Sequence, residues 1–256
     1  MHGFTSSIFK GANLPNIVNL QYNSLLSSMV KLSSGYRINK ASDGPADLII
    51  SEQLRSRIAS LNQEMKNKSL QIAKYETASA STAELRSYLT EIRTLAVQAA
   101  NTGFNSEAAQ EATNLAATSI KDGYNRIVET AEYNGSYLFD GEEGSVATIS
   151  LLDQIDLSSA EAAEQTISRV DSAIAELDSV QIEIGSKQKY ELERGLASME
   201  VTYQNLVAAE SQIRDTDIAA TFAKFTADML KFNFSLSLMS HSKLNSKIIM
   251  TLIGSR

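Results

Sequence analysis

The sequence predicts a mainly α protein: a long antiparallel helical hairpin or coiled-coil rod with one small β-hairpin region, helical at both ends. Three observations predict it. Apolar residues recur at alternating three and four spacing near both ends of the chain, and a run of roughly fifty residues after Pro45 contains neither Gly nor Pro. The 256 residues hold only 2 Pro, 12 Gly, no Trp and 7% aromatics, a composition that favours long helices with thin seams.

The first helix follows from Val18, Tyr22, Leu25, Met29, Leu32 and Tyr36, which form a heptad seam that opens near Pro15. Gly35 ends it, because a glycine takes the left-handed conformation that closes a helix. In "SDGPAD", Ser42 or Asp43 can cap the next helix, Pro45 suits its first turn, and Asp47 favours its N-terminal dipole. Leu54, Ile58, Leu61, Met65, Ile72, Tyr75, Leu85, Leu89 and Ile92 then carry a single long helix up to the turn "NTGFNS" at 101–106. A helix with an Ala-rich face is expected over 106–130. Asn134-Gly135 and Asp140-Gly141 are turn dipeptides and "SVATISL" has strand character, so a hairpin region is expected over about 131–158. Helix resumes near Ser159 and continues past Gly185. Phe222, Phe225, Met229, Phe232, Leu236 and Met239 form the last seam.

Charge divides the chain differently from composition. Every acidic residue lies between Asp43 and Asp228, so a middle of net charge −15 is flanked by two acid-free ends of +4 each. This suggests three parts: 1–42 as an N-terminal helix, 43–220 as a rod, and 221–256 as a C-terminal helix. An isolated terminal helix loses more conformational entropy on ordering than its few apolar side chains return. Both ends are therefore expected to order when neighbours cover them.

Little chemistry is encoded. There is no cysteine for a disulfide or thiolate site, and His2 and His241 alone cannot make a zinc cluster; no metal or cofactor is expected. The carboxylate pairs Glu142-Glu143 and Asp215/Asp217 read as solvated charges, and no phosphate loop or Ser-His-Asp set is present, so no enzyme is expected. An acidic chain without a Lys/Arg stripe is not a nucleic-acid binder. The N-terminus lacks the basic start, apolar block and cleavage site of a secretory signal, and no run of about 18 apolar residues occurs. A membrane-active amphipathic protein remains an alternative, although the polar faces of the ends are mainly Ser, Asn and Gln. In "AESQIRDTD", Arg214 stands among acids; local ion pairing or a register-setting contact between subunits would explain it.

Two stretches together resemble bacterial flagellin. "LSSGYRINKASDGPADLIISEQLRSRIASLNQ" is similar to the family's N-terminal signature and carries Gly35, Arg37, Asn39, Asp43 and Pro45. "AAESQIRDTDIAATFAKFTADML" resembles the C-terminal signature and carries Arg214, Asp215 and Asp217. "EIRTLAVQAANTGFNS" and "YNGSYLFDG" match intermediate segments in order. The resemblance implies a structural subunit that polymerises into the flagellar filament for motility, in a short core-only form without large variable outer domains, with the terminal helices 1–42 and 221–256 paired as an inner coiled coil and the rod 43–220 around it. It also implies export through the flagellum's own type III channel, an extracellular filament, an export chaperone on the C-terminal segment, and hook-associated and cap proteins as partners. The assembly residues would be Tyr22, Leu25, Met29 and Leu32 with Phe222, Phe225, Met229, Phe232 and Leu236. Leu95 matches a leucine that faces Toll-like receptor five in some members, but Glu91 stands where those carry arginine, which argues against recognition. A hook-filament junction protein shares the terminal signatures and is the nearest alternative.

Overall fold

The computed structural model describes residues 14–101, 106–142 and 144–254, with Leu14 and 242–254 as backbone only. The turn expected at 101–106 therefore lies mostly outside the described residues, as do His2 and the side chains of the C-terminal end. The chain is helical almost throughout: α1 (Leu14–Ser34), a 3-10 turn (Ala41–Asp43), α2 (Pro45–Ala100), α3 (Glu107–Thr130), strands β1 (Glu132–Tyr133) and β2 (Ser136–Tyr137), α4 (Ala160–Ser186), a π-helical turn (Lys187–Glu193), α5 (Arg194–Arg214) and α6 (Ile218–Gly254). Among the described residues no helix is long and apolar enough to cross a membrane.

The start and stop signals act as their chemistry requires. Gly35 closes α1 at φ 75°, its N–H on the Lys31 carbonyl at 2.9 Å. Pro45 is the first residue of α2. Ser106 and Ser159 cap α3 and α4 by accepting from the amides of Ala109 and Ala162.

The chain separates into two compact units, Met1–Ser60 with Tyr203–Arg256, and Leu61–Thr202. The second unit holds the core. Leu85, Leu89 and Ile92 of α2 meet Tyr124 and Val128 of α3 and Val170, Leu177 and Ile184 of α4, with Leu138 and Phe139 from the hairpin region covering them. A smaller cluster joins Ala96, Ala99, Ala117, Leu157 and Ala163, where small side chains allow close helix approach. Arg86–Asp178 and Arg93–Asp171, seven residues apart on each helix, tie α2 to an antiparallel α4. Both pairs are about half exposed and fix direction more than they stabilise.

The hairpin region departs from expectation after its turn. Asn134-Gly135, with φ of 53° and 77°, closes a two-residue turn in which Glu132 faces Tyr137 and Tyr133 faces Ser136. "SVATISL", expected as a strand, forms no regular ladder: it makes an isolated bridge between Asp140 and Thr148, and the amides of Val146 and Ile149 donate to the Leu138 and Phe139 carbonyls at 2.8 and 3.4 Å. From Ser150 to Leu157 the backbone is held by side chains instead. Asn125 accepts from the Leu152 N–H at 2.8 Å and donates to its carbonyl at 2.9 Å, Asn114 accepts from the Leu157 N–H at 3.0 Å, and Arg169 donates to the Gln154 carbonyl at 3.0 Å. The helices thus do what a strand partner would.

Candidate assembly site on the terminal helices

α1 and α6 pair within the first unit. The pairing is antiparallel, since Tyr36 bridges Asp215, Ser24 contacts Asp228 and Tyr22 packs on Phe232 with ring centroids 6.0 Å apart. The faces that meet are built at heptad spacing from Gln21, Leu25, Ser28 and Leu32 on α1 and from Thr221, Phe225, Asp228, Phe232, Ser235 and Met239 on α6, all buried or half-buried.

This corrects the expected seam at every second position. Leu25, Leu32, Phe225 and Phe232 lie in it, but Tyr22, Met29, Phe222, Met229 and Leu236 are exposed, by 48%, 53%, 60%, 41% and 37%. Their places are taken by Gln21, Ser28, Asp228 and Ser235. Both helices are apolar on more than one face, so spacing alone does not say which stripe turns inward. The missed residues did leave a signal: Ser24 and Ser28 are small polar residues one turn apart, and Asp228 is the last acid in an otherwise acid-free apolar run. The Ser24 hydroxyl donates to Asp228 Oδ2 at 2.7 Å, Lys231 Nζ lies 3.6 Å from Oδ1, and Gln21 Oε1 is buried with no hydrogen-bond partner.

The two signature stretches converge on the joint beside this pair. The Arg37 amide donates to the Arg214 carbonyl at 2.7 Å and the Thr216 amide to the Gly35 carbonyl at 2.9 Å. Arg37 Nη2 reaches the Ile213 carbonyl at 2.5 Å and Asp47 Oδ2 at 3.1 Å. Arg214 does not pair with the acids next to it in sequence. Its Nη1 donates to Glu52 at 2.9 Å, across 162 residues, and its guanidinium covers the Tyr36 ring at 4.7 Å. Asp217 caps α6 through the Ala220 amide, and Asp215 accepts from the Ser211 hydroxyl. Asn39 donates to the Tyr36 carbonyl at 2.8 Å. Asp43 accepts from the amides of Asn39 and Lys40, which hold its carboxyl below the usual carboxylate range.

Leu95 is half-buried against the cluster of Ala96 and Ala99, while Glu91 is exposed. Among the described residues no group of three His, Cys, Asp or Glu is placed to hold a metal ion.

Comparison with known proteins agrees with this geometry. Residues 9–143 match the bacterial flagellin N-terminal helical region and residues 167–253 the bacterial flagellin C-terminal helical region, with only 144–166 between them. The flagellin of Halalkalibacterium halodurans is 30% identical over 252 residues, covering 88% of this chain and 90% of its own length. The flagellar filament core protein flaB2 of Brachyspira hyodysenteriae is 28% identical over 85% of this chain and 88% of its own, and the flagellin of Bacillus subtilis 26% identical over 88% and 91%. Two terminal helical regions matched in order, on the helices that pair and across the joint their signatures build, establish that the chain belongs to the bacterial flagellin family.

Proposed function

We propose that this chain is a structural subunit that polymerises with other flagellin subunits into the bacterial flagellar filament, and that its terminal helices are the surface on which it does so. The observation that carries the reading is the apolar surface left open on α1 and α6. Leu20, Phe222, Leu230 and Phe234 are each at least 60% exposed, and Tyr22, Met29 and Met229 lie open beside them. An exposed apolar surface of this kind marks a contact with another protein. In this reading 1–42 and 221–256 form the inner layer and order on incorporation, while 43–220 forms the layer outside it. The subunit is exported to an extracellular filament, with a chaperone on its C-terminal segment and with hook-associated and cap proteins at the filament's ends. Toll-like receptor five is not among the proposed partners, because Leu95 is half-buried and Glu91 is acidic.

Electron microscopy of the purified protein in polymerising salt tests this, with long filaments expected; a junction adaptor would give none. Leu32→Arg and Phe232→Asp each place a charge in the helix pair and should give a soluble subunit that does not polymerise. Normal filaments from either variant would refute the assignment of these helices.

A further inference from the structure

α6 carries two overlapping heptad stripes. One is large at every position, with Phe222, Met229 and Leu236. The other sets Asp228 and Ser235 between Phe225, Phe232 and Met239. Apolar burial alone favours turning the first stripe toward α1, yet the second is turned there: Asp228 is 7% and Ser235 5% exposed, against 60% for Phe222 and 41% for Met229. Asp228 is also the only charged residue that is buried among the described residues. A carboxylate prefers water unless it is paired, so its place at the helix contact has to be held by its partners. Those partners are the Ser24 hydroxyl on α1, at 2.7 Å, and the Lys231 ammonium one turn along α6, at 3.6 Å.

We propose that the Ser24–Asp228 contact selects which stripe of α6 meets α1, and so keeps the Phe222, Met229 and Leu236 stripe turned outward for a second copy of this chain. A single polar contact has this effect in helix packing because its charge-assisted hydrogen bond forms in one pairing only, while the alternative gains apolar burial but loses that bond, which trades stability for specificity. The occupant is a second copy because the stripe continues the apolar surface of Leu230 and Phe234 on the same helix. In this last respect the inference rests on the filament reading above.

The chain has no cysteine, so a single introduced thiol reports one position. In the full-length free protein the helix pair opens and closes, and while closed it shields position 235 but not position 229, so Ser235→Cys should react more slowly with a maleimide than Met229→Cys. Asp228→Ala removes the carboxylate, and Ser24→Ala leaves it without its donor; each should let α6 turn. The ratio of labelling at position 229 to labelling at position 235 should then fall by about tenfold, while Asp228→Asn, which still accepts from Ser24, keeps the native ratio. Far-UV circular dichroism checks that helix content is retained, and Ser24→Ala serves if Asp228→Ala does not fold. A ratio unchanged in the folded variants would overturn the proposal. Asp228→Ala should also raise the protein concentration needed for filament growth by about tenfold, and an unchanged value alongside altered labelling would overturn the role reserved for a second copy. Should the native chain form no filaments, the filament reading fails while the labelling ratio still decides the selection of the stripe.

Discussion

The Arg214 guanidinium presents its face to the Tyr36 ring and one nitrogen to Glu52, with its side chain only 15% exposed. A lysine can carry the charge but cannot stack its planar face or keep that fork, so the exchange is not conservative here. Arg214→Lys should lower stability by about 1 kcal/mol, the size of a partly desolvated cation–π contact. Urea unfolding measures it, and a midpoint equal to the parent's would show that the stack contributes nothing. Tyr124 makes a different case within one residue. Burial pushes its phenol up to about 12, and the Glu176 carboxylate adds to the effect. Because the folded value lies above the ordinary 10.0, the stabilisation is fully present below that pH and is lost as pH rises toward 12. Ultraviolet titration should therefore show a late-ionising phenol, and Tyr124→Phe should remove that late step.

At the scale of elements, what the sequence revealed was whatever the chain arranges locally. Gly35, Pro45, Ser159 and Asn134-Gly135 act within a few residues of themselves, so their turns and caps could be read in advance. The 150–157 segment could not. Its backbone is held by Asn114, Asn125 and Arg169, which lie 15 to 43 residues away and carry no periodic signal. The same limit applied to the assembly site. The signature stretches marked the joint, but Arg214 pairs with Glu52 rather than a neighbour, and the inward stripe of α6 depends on Ser24, 204 residues away. Asn125 offers the sharpest test of such a contact. Asn125→Ala leaves a part-buried N–H and C=O of Leu152 unpaired, which should cost about 1–3 kcal/mol. Amide exchange at Leu152 should speed up accordingly, whereas Asn125→Asp, which still accepts from that N–H, should fall between the two. Equal exchange in all three proteins would mean that the clamp does not hold the segment.

At the scale of the whole molecule, burial is distributed unevenly between the two units, and this bears on how a filament subunit can remain soluble before it assembles. Tyr124, Phe139, Leu85, Leu89, Ile92, Leu138, Leu157, Leu177 and Ile184 are fully buried, and all lie in Leu61–Thr202. In the other unit, among the described residues, Ile38 is the one large apolar side chain buried to that degree, and the helix pair beside it keeps much of its apolar surface in water. Local stability follows buried apolar contact, so the units should open at different free energies. Hydrogen exchange on the free protein should find slow amides in α2 from Leu85 to Ala99, in α3 and in α4, with α1 and the described part of α6 exchanging at least about a hundredfold faster. On polymerisation the amides of 14–34 and 218–241 should become slow while those of the second unit change little, because neighbours would then cover the surface the free chain leaves open. Equal protection of both units before assembly would mean that the terminal helices are stable on their own, and the idea that they order on incorporation would have to be abandoned.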